Sequence, residues 1–124
     1  LWDVRSGKCR FTIRPGSWIF SSGFGSDDKI VLTCSGEGIT IWDAATGESL
    51  GLLRLLDGKR WLFLSSEGWW DGSLGVEQVP DVLVGSQVCP VSRLPRRVGV
   101  WQEAIAGVRP HRAPAPDLQG LLQL

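Results

Sequence analysis

Two copies of one short pattern, forty positions apart, constrain this chain more than any other feature. Each copy has a Trp-Asp dipeptide, followed four residues later by Gly, and the same offset relates Arg14 to Arg54. A sequence period of this length is typical of proteins built from stacked units, because one unit alone leaves apolar faces in water. The residues of the pattern are Trp2, Asp3, Gly7, Trp42, Asp43 and Gly47.

Between the two copies, and just after the second, apolar and β-branched residues alternate with polar turns, as in antiparallel strands. We predict strands over residues 18–25, 30–34, 39–42 and 50–55, and one over residues 9–13 that belongs to the earlier copy. Residues 30–34 are the most apolar of these. We therefore expect that strand to be packed on both faces.

The Trp-Asp dipeptide in a forty-residue period resembles the WD-repeat family, whose units are the four-stranded blades of a β-propeller. The resemblance covers residues 1–56 and implies an all-β fold with about one and a half blades. It implies that the six pattern residues have a structural role in the repeat. Because the chain begins inside a blade, we expect it to be the C-terminal piece of a larger protein.

The chain departs from the family pattern in two places. Ser17 stands where the family often has His, and the turn at residues 36–38 lacks the usual Asp. Of the polar network that these residues form in WD repeats, only Thr33 and Trp42 remain. We expect the blade to be stabilised mainly by apolar packing, with Trp42 buried in it.

The period fails after residue 56. Asp57-Gly58 follows the last strand at once, and no Trp occurs at position 82, where a third copy requires one. We read Trp70-Asp71 as a decoy in a turn-rich aromatic segment, since it follows Trp42 too closely. We also predict a strand over residues 60–64 and a hairpin over 82–88. A helix is predicted over 98–106, with an apolar stripe of Val98, Trp101 and Ile105, and Gly107 should end it.

The order of residues from Trp61 to Glu77 is similar to the segment that closes many bacterial WD-repeat proteins, which often carry a caspase-like peptidase or signalling ATPase domain. We therefore expect a closing element in which the strand completes a sheet edge and the helix covers apolar surface. The chain then divides into a blade region (1–56), a β-rich closing segment (57–92), a short helix (93–107) and a Pro- and Arg-rich tail (108–124).

Few residues offer chemistry. His111 is the only histidine and lies in the tail, which we expect to be extended and flexible, and the three cysteines have no metal or redox spacing. Glu67 and Asp71 are either a carboxylate pair or turn residues bonded to backbone amides, and we favour the turns. We also favour core packing over ligand stacking for the tryptophans Trp61, Trp69, Trp70 and Trp101.

These observations predict a non-enzymatic protein-interaction scaffold with no catalytic, cofactor or metal site. The expected partners are other blades of the same propeller and a protein that the sequence does not identify. The alternative is the regulatory end of a bacterial caspase-like peptidase or signalling ATPase. With 13 basic and 13 acidic residues the net charge is zero, so nucleic-acid binding through the Arg-rich tail is a weaker idea. No segment suggests a membrane span, and the unpaired cysteines favour the cytoplasm.

Overall fold

A six-stranded open antiparallel sheet forms most of the described fold in the computed structural model. The structure describes residues 1–14, 18–73, 82–84, 87–89 and 94–113. Six strands follow one another in chain order, β1 to β6, and each pairs with the next. The fold class expected from the sequence is thus confirmed as far as a mostly β architecture with one short helix.

The first four strands form an up-and-down meander over the predicted repeat. The strands are β1 (Ile19–Phe24), β2 (Ile30–Ser35), β3 (Gly38–Asp43) and β4 (Ser49–Leu55). A short 3-10 turn, Ser26–Asp28, connects β1 to β2 at one of the polar segments between the predicted strands. All four predicted strands of the repeat are therefore confirmed, with ends that shift by a few residues.

The sheet continues beyond the repeat with β5 (Trp61–Ser65) and β6 (Trp70–Gly72). Strand β5 pairs with β4, so the prediction that it completes an open sheet edge is confirmed. The interpretation of Trp70-Asp71 as part of a turn is wrong, because these residues form a strand opposite Phe63 and Leu64. A separate hairpin of β7 (Val82–Val84) and β8 (Gln87–Cys89) confirms the predicted one, although Gly85 and Ser86 lie outside the described residues.

The core lies between one face of this sheet and helix α1 (Val100–Ile105). Ile30, Ile41 and Phe63 are buried beneath Val100 and Ala104 of the helix. We call this side of the sheet the covered face. The helix confirms the expected closing role, because it shields apolar residues that three different strands contribute.

The apolar stripe predicted for the helix is wrong in one respect. Val98 lies before the helix and is 80% exposed, whereas Val100 and Ala104, four residues apart, face the core. Trp101 and Ile105 pack beside them, as predicted. Gly107 takes a φ of 77° just after the helix, a conformation that costs glycine little and that ends the helix where the sequence indicates.

The face opposite the covered face is only partly buried. Alternation along the strands places Val31, Thr33, Trp42 and Leu52 on it, and of these only Thr33 is fully buried. In this chain β2 is thus fully covered on one face only, and Trp42 is half-buried. The expectation that a neighbouring blade covers β2 and Trp42 on this face stays a prediction. The physical reason for the difference between the faces is that α1 packs on the other one.

The strand expected at residues 9–13 does not form. Cys9 makes an isolated bridge to Trp2, and the Arg10 N–H donates to the Leu1 carbonyl at 2.7 Å. The tail also differs from expectation. Residues 108–113 are held to the sheet by a 2.8 Å ion pair between Arg109 and Glu48 and by a 2.9 Å hydrogen bond from the Ala113 N–H to the Glu67 carbonyl. The apolar turns expected at 118–124 lie outside the described residues.

Candidate functional site

The two copies of the sequence pattern fold into the same turn. The Gly7 N–H donates to the Asp3 carbonyl at 2.8 Å, and the Gly47 N–H donates to the Asp43 carbonyl at the same distance. Asp3 Oδ1 accepts the Arg5 N–H at 2.8 Å, and Asp43 Oδ1 accepts the Ala45 N–H at 2.8 Å. The pattern thus encodes one hydrogen-bonded unit twice, forty residues apart.

Glycine is needed in each turn because its φ is positive, 70° at Gly7 and 76° at Gly47. Residues with a side chain rarely adopt that conformation. The surroundings of the two glycines differ. Open space surrounds Gly7, whereas the ring of Phe11 lies against Gly47. The earlier copy therefore contacts the later one directly at this point.

The two tryptophans of the pattern have different environments. The indole Nε1 of Trp42 donates a 2.8 Å hydrogen bond to Thr33 Oγ1 across the β2–β3 pair. These are the two residues of the expected polar network that the sequence retains. Trp2 lies just before the first turn and pairs only with Cys9, in an isolated bridge. Its side chain is 66% exposed.

The first strand presents an uncovered apolar edge. Among the described residues no strand lies beyond β1, and all six of its residues are exposed. Trp18 precedes it, and Ile19, Phe20 and Phe24 belong to it. Sequence reasoning identifies the strand but not its exposure, since alternation alone does not show which strand ends a sheet.

A buried carboxylate fastens the helix to the other end of the sheet. Asp71 is 4% exposed, and its Oδ2 accepts the Gly99 N–H at 2.8 Å just before α1. Its Oδ1 accepts the Gly72 N–H at 2.8 Å and two N–H groups of Arg96 at 3.3 Å. Both oxygens of this carboxylate accept hydrogen bonds from within the protein. Asp71 therefore links β6 to the segment that leads into α1.

Glu67 does not join Asp71 in a carboxylate pair. The Glu67 N–H donates to Ser65 Oγ at 3.2 Å within a turn. Its side chain has one buried oxygen, Oε2, without a hydrogen-bond partner among the described residues, so the expected bonding of this carboxylate to backbone amides is not found for Oε2. Asp71 lies in β6 and bonds to backbone amides of Gly72 and Gly99. The expected bonding to backbone amides is confirmed for Asp71, but Asp71 lies in a strand and not in the expected turn.

The four tryptophans of the closing segment are packing residues. Trp61 and Trp101 meet edge to face with ring centroids 6.0 Å apart, between β5 and α1. Trp70 is buried and donates from Nε1 to the Leu94 carbonyl at 2.8 Å. Trp69 packs against the core and donates to the His111 carbonyl at 2.7 Å. Core packing, the favoured interpretation, is confirmed, and no open stack of rings is left for a ligand in the described part of the chain.

The only histidine, His111, is attached to Trp69 through the hydrogen bond that the indole donates to its carbonyl. The His111 ring lies edge to face on Trp69 at 5.7 Å. No acid or nucleophile of the described residues hydrogen-bonds to the imidazole. Cys9 is exposed and Cys34 is half-buried, and both are free thiols.

An open groove of about 530 Å³ lies between the first turn and the ends of β1 to β3. It is lined by Leu1, Trp2, Phe24 and Ala44 on its apolar part and by charged residues of both signs, Arg10, Asp28, Lys29 and Asp43. Among the described residues, no three His, Cys, Asp or Glu side chains lie close enough together to bind a metal ion. None of the helices described is long and apolar enough to cross a membrane.

Comparison of the chain with protein-family models, with curated proteins and with solved structures finds no match. The features of the chain that bear on its function are therefore the geometry of the repeated turn, the faces of the sheet and its edges.

Proposed function

We propose that this chain is a non-catalytic part of a WD-repeat β-propeller and acts as a protein-interaction scaffold. One observation carries the proposal. The same Trp-Asp pattern forms the same hydrogen-bonded turn twice, and a four-stranded antiparallel meander begins between the two turns and ends just after the second.

The hydrogen bond from Trp42 to Thr33 gives further support, because it links the tryptophan of the pattern to the middle of β2. The partly exposed face that carries these residues is the surface on which we place the neighbouring blade of the same propeller. A sheet that stacks on this face would bury Val31, Trp42 and Leu52.

The absence of a catalytic role is part of the same proposal. The Asp71 carboxylate accepts hydrogen bonds from four N–H groups, and the His111 ring contacts an indole rather than an acid or nucleophile. The free thiols of Cys9 and Cys34 fit the cytoplasmic location that we propose, since reduced cysteines are usual there.

Insertion of one more copy of the repeat tests the proposal. A second copy of residues 15–54, placed after Arg54, continues the forty-residue period without a break. We expect the longer chain to unfold in one transition at higher denaturant concentration, because stacked repeats bury each other's faces. Trp42 of the original copy should become less accessible to a fluorescence quencher.

The matched control is the same insertion with Leu52→Glu in the added copy. Glutamate keeps the length and strand pattern but puts a charge on the face through which blades stack. If both insertions give the same stability and the same quenching as the parent chain, the added copy does not stack and the proposal is wrong.

A further inference from the structure

We draw no further inference here: the strongest candidate, the apolar surface that Trp18, Phe20 and Phe24 form at the edge strand β1, carries no proposal because nothing in the described part of the structure shows what covers it.

Discussion

Trp42 and Thr33 are joined by a 2.8 Å hydrogen bond between the indole Nε1 and the hydroxyl Oγ1, across neighbouring strands. Thr33 is buried, while Trp42 is half-buried on the same face. The bond therefore fixes the orientation of a large ring that packing alone holds on one side only.

Thr33→Val should remove this bond and destabilise the chain by about 1 kcal/mol, the usual net value of a hydrogen bond in a folded protein. Thr40→Val is the control, since Thr40 lies opposite Thr33 in the β2–β3 register and has no side-chain hydrogen bond within the described ranges. Urea unfolding measures both. An equal effect of the two substitutions would show that the Trp42 contact adds nothing.

Alanine substitution should destabilise the chain to different extents at the two pattern glycines, Gly7 and Gly47. Both have positive φ, so each substitution costs about 1–2 kcal/mol from backbone strain. Gly47→Ala should cost more than Gly7→Ala, because its Cβ would lie 2.9 Å from the ring of Phe11, whereas the space at Gly7 is open.

Denaturant unfolding, with amide exchange of each turn, compares the two substitutions. Gly58→Ala is the control, because Gly58 has no positive φ and the space that an alanine Cβ would occupy there is open. We expect this change to be close to neutral. If Gly7→Ala is the more damaging change, the contact between the two copies at Phe11 does not contribute to stability.

The strands of the repeat can be predicted because their signals are local. Apolar alternation in residues 30–34 and 39–42 and the polar residues between them determine a meander with little help from the rest of the chain. The strand Trp70–Gly72 escapes prediction because it has only three residues, and its pairing with β5 depends on contacts distant in sequence. Full burial of Trp42 would likewise depend on a second sheet on that face, which no local pattern specifies.

The groups that tie the closing segment together are harder to anticipate. Asp71 stands out in the sequence, but its partners Arg96 and Gly99 lie 25 and 28 residues away, and nothing in their spacing indicates a shared hydrogen-bond network. The exposed edge of β1 is not predictable because a strand pattern does not reveal the order of strands. Both features come from tertiary topology rather than from local sequence.

Asp71→Asn should loosen the attachment of α1. The amide replaces one acceptor oxygen by a donor that faces the Gly99 N–H or Arg96, so we expect a loss of about 2–3 kcal/mol, as for hydrogen bonds to a charged group. Asp43→Asn, in a turn where Oδ1 bonds to Ala45, should cost less. Thermal unfolding followed by tryptophan fluorescence checks this, and similar losses for the two variants would show that Asp71 is not a key attachment point.

Asp57 gives the chain a specific response to acid. The N–H of Lys59 donates to its carboxylate, and Arg60 contributes a side-chain bond of 2.8 Å and a backbone bond of 2.9 Å. Together these lower the pKa of Asp57 from 3.8 to about 2. Because the pKa is lower in the folded state than in the unfolded state, the contribution is complete above about pH 4 and is lost as the pH falls through about 2.

A carboxyl NMR titration should therefore place the midpoint of Asp57 well below that of an ordinary aspartate. Arg60→Gln should move the midpoint upward, since it removes one donor and one positive charge, while the bond from Lys59 remains. Arg54→Gln, on the exposed part of β4, changes the net charge equally and serves as the control. If both variants shift the midpoint by the same amount, the general charge of the protein and not the Arg60 contact determines the pKa of Asp57.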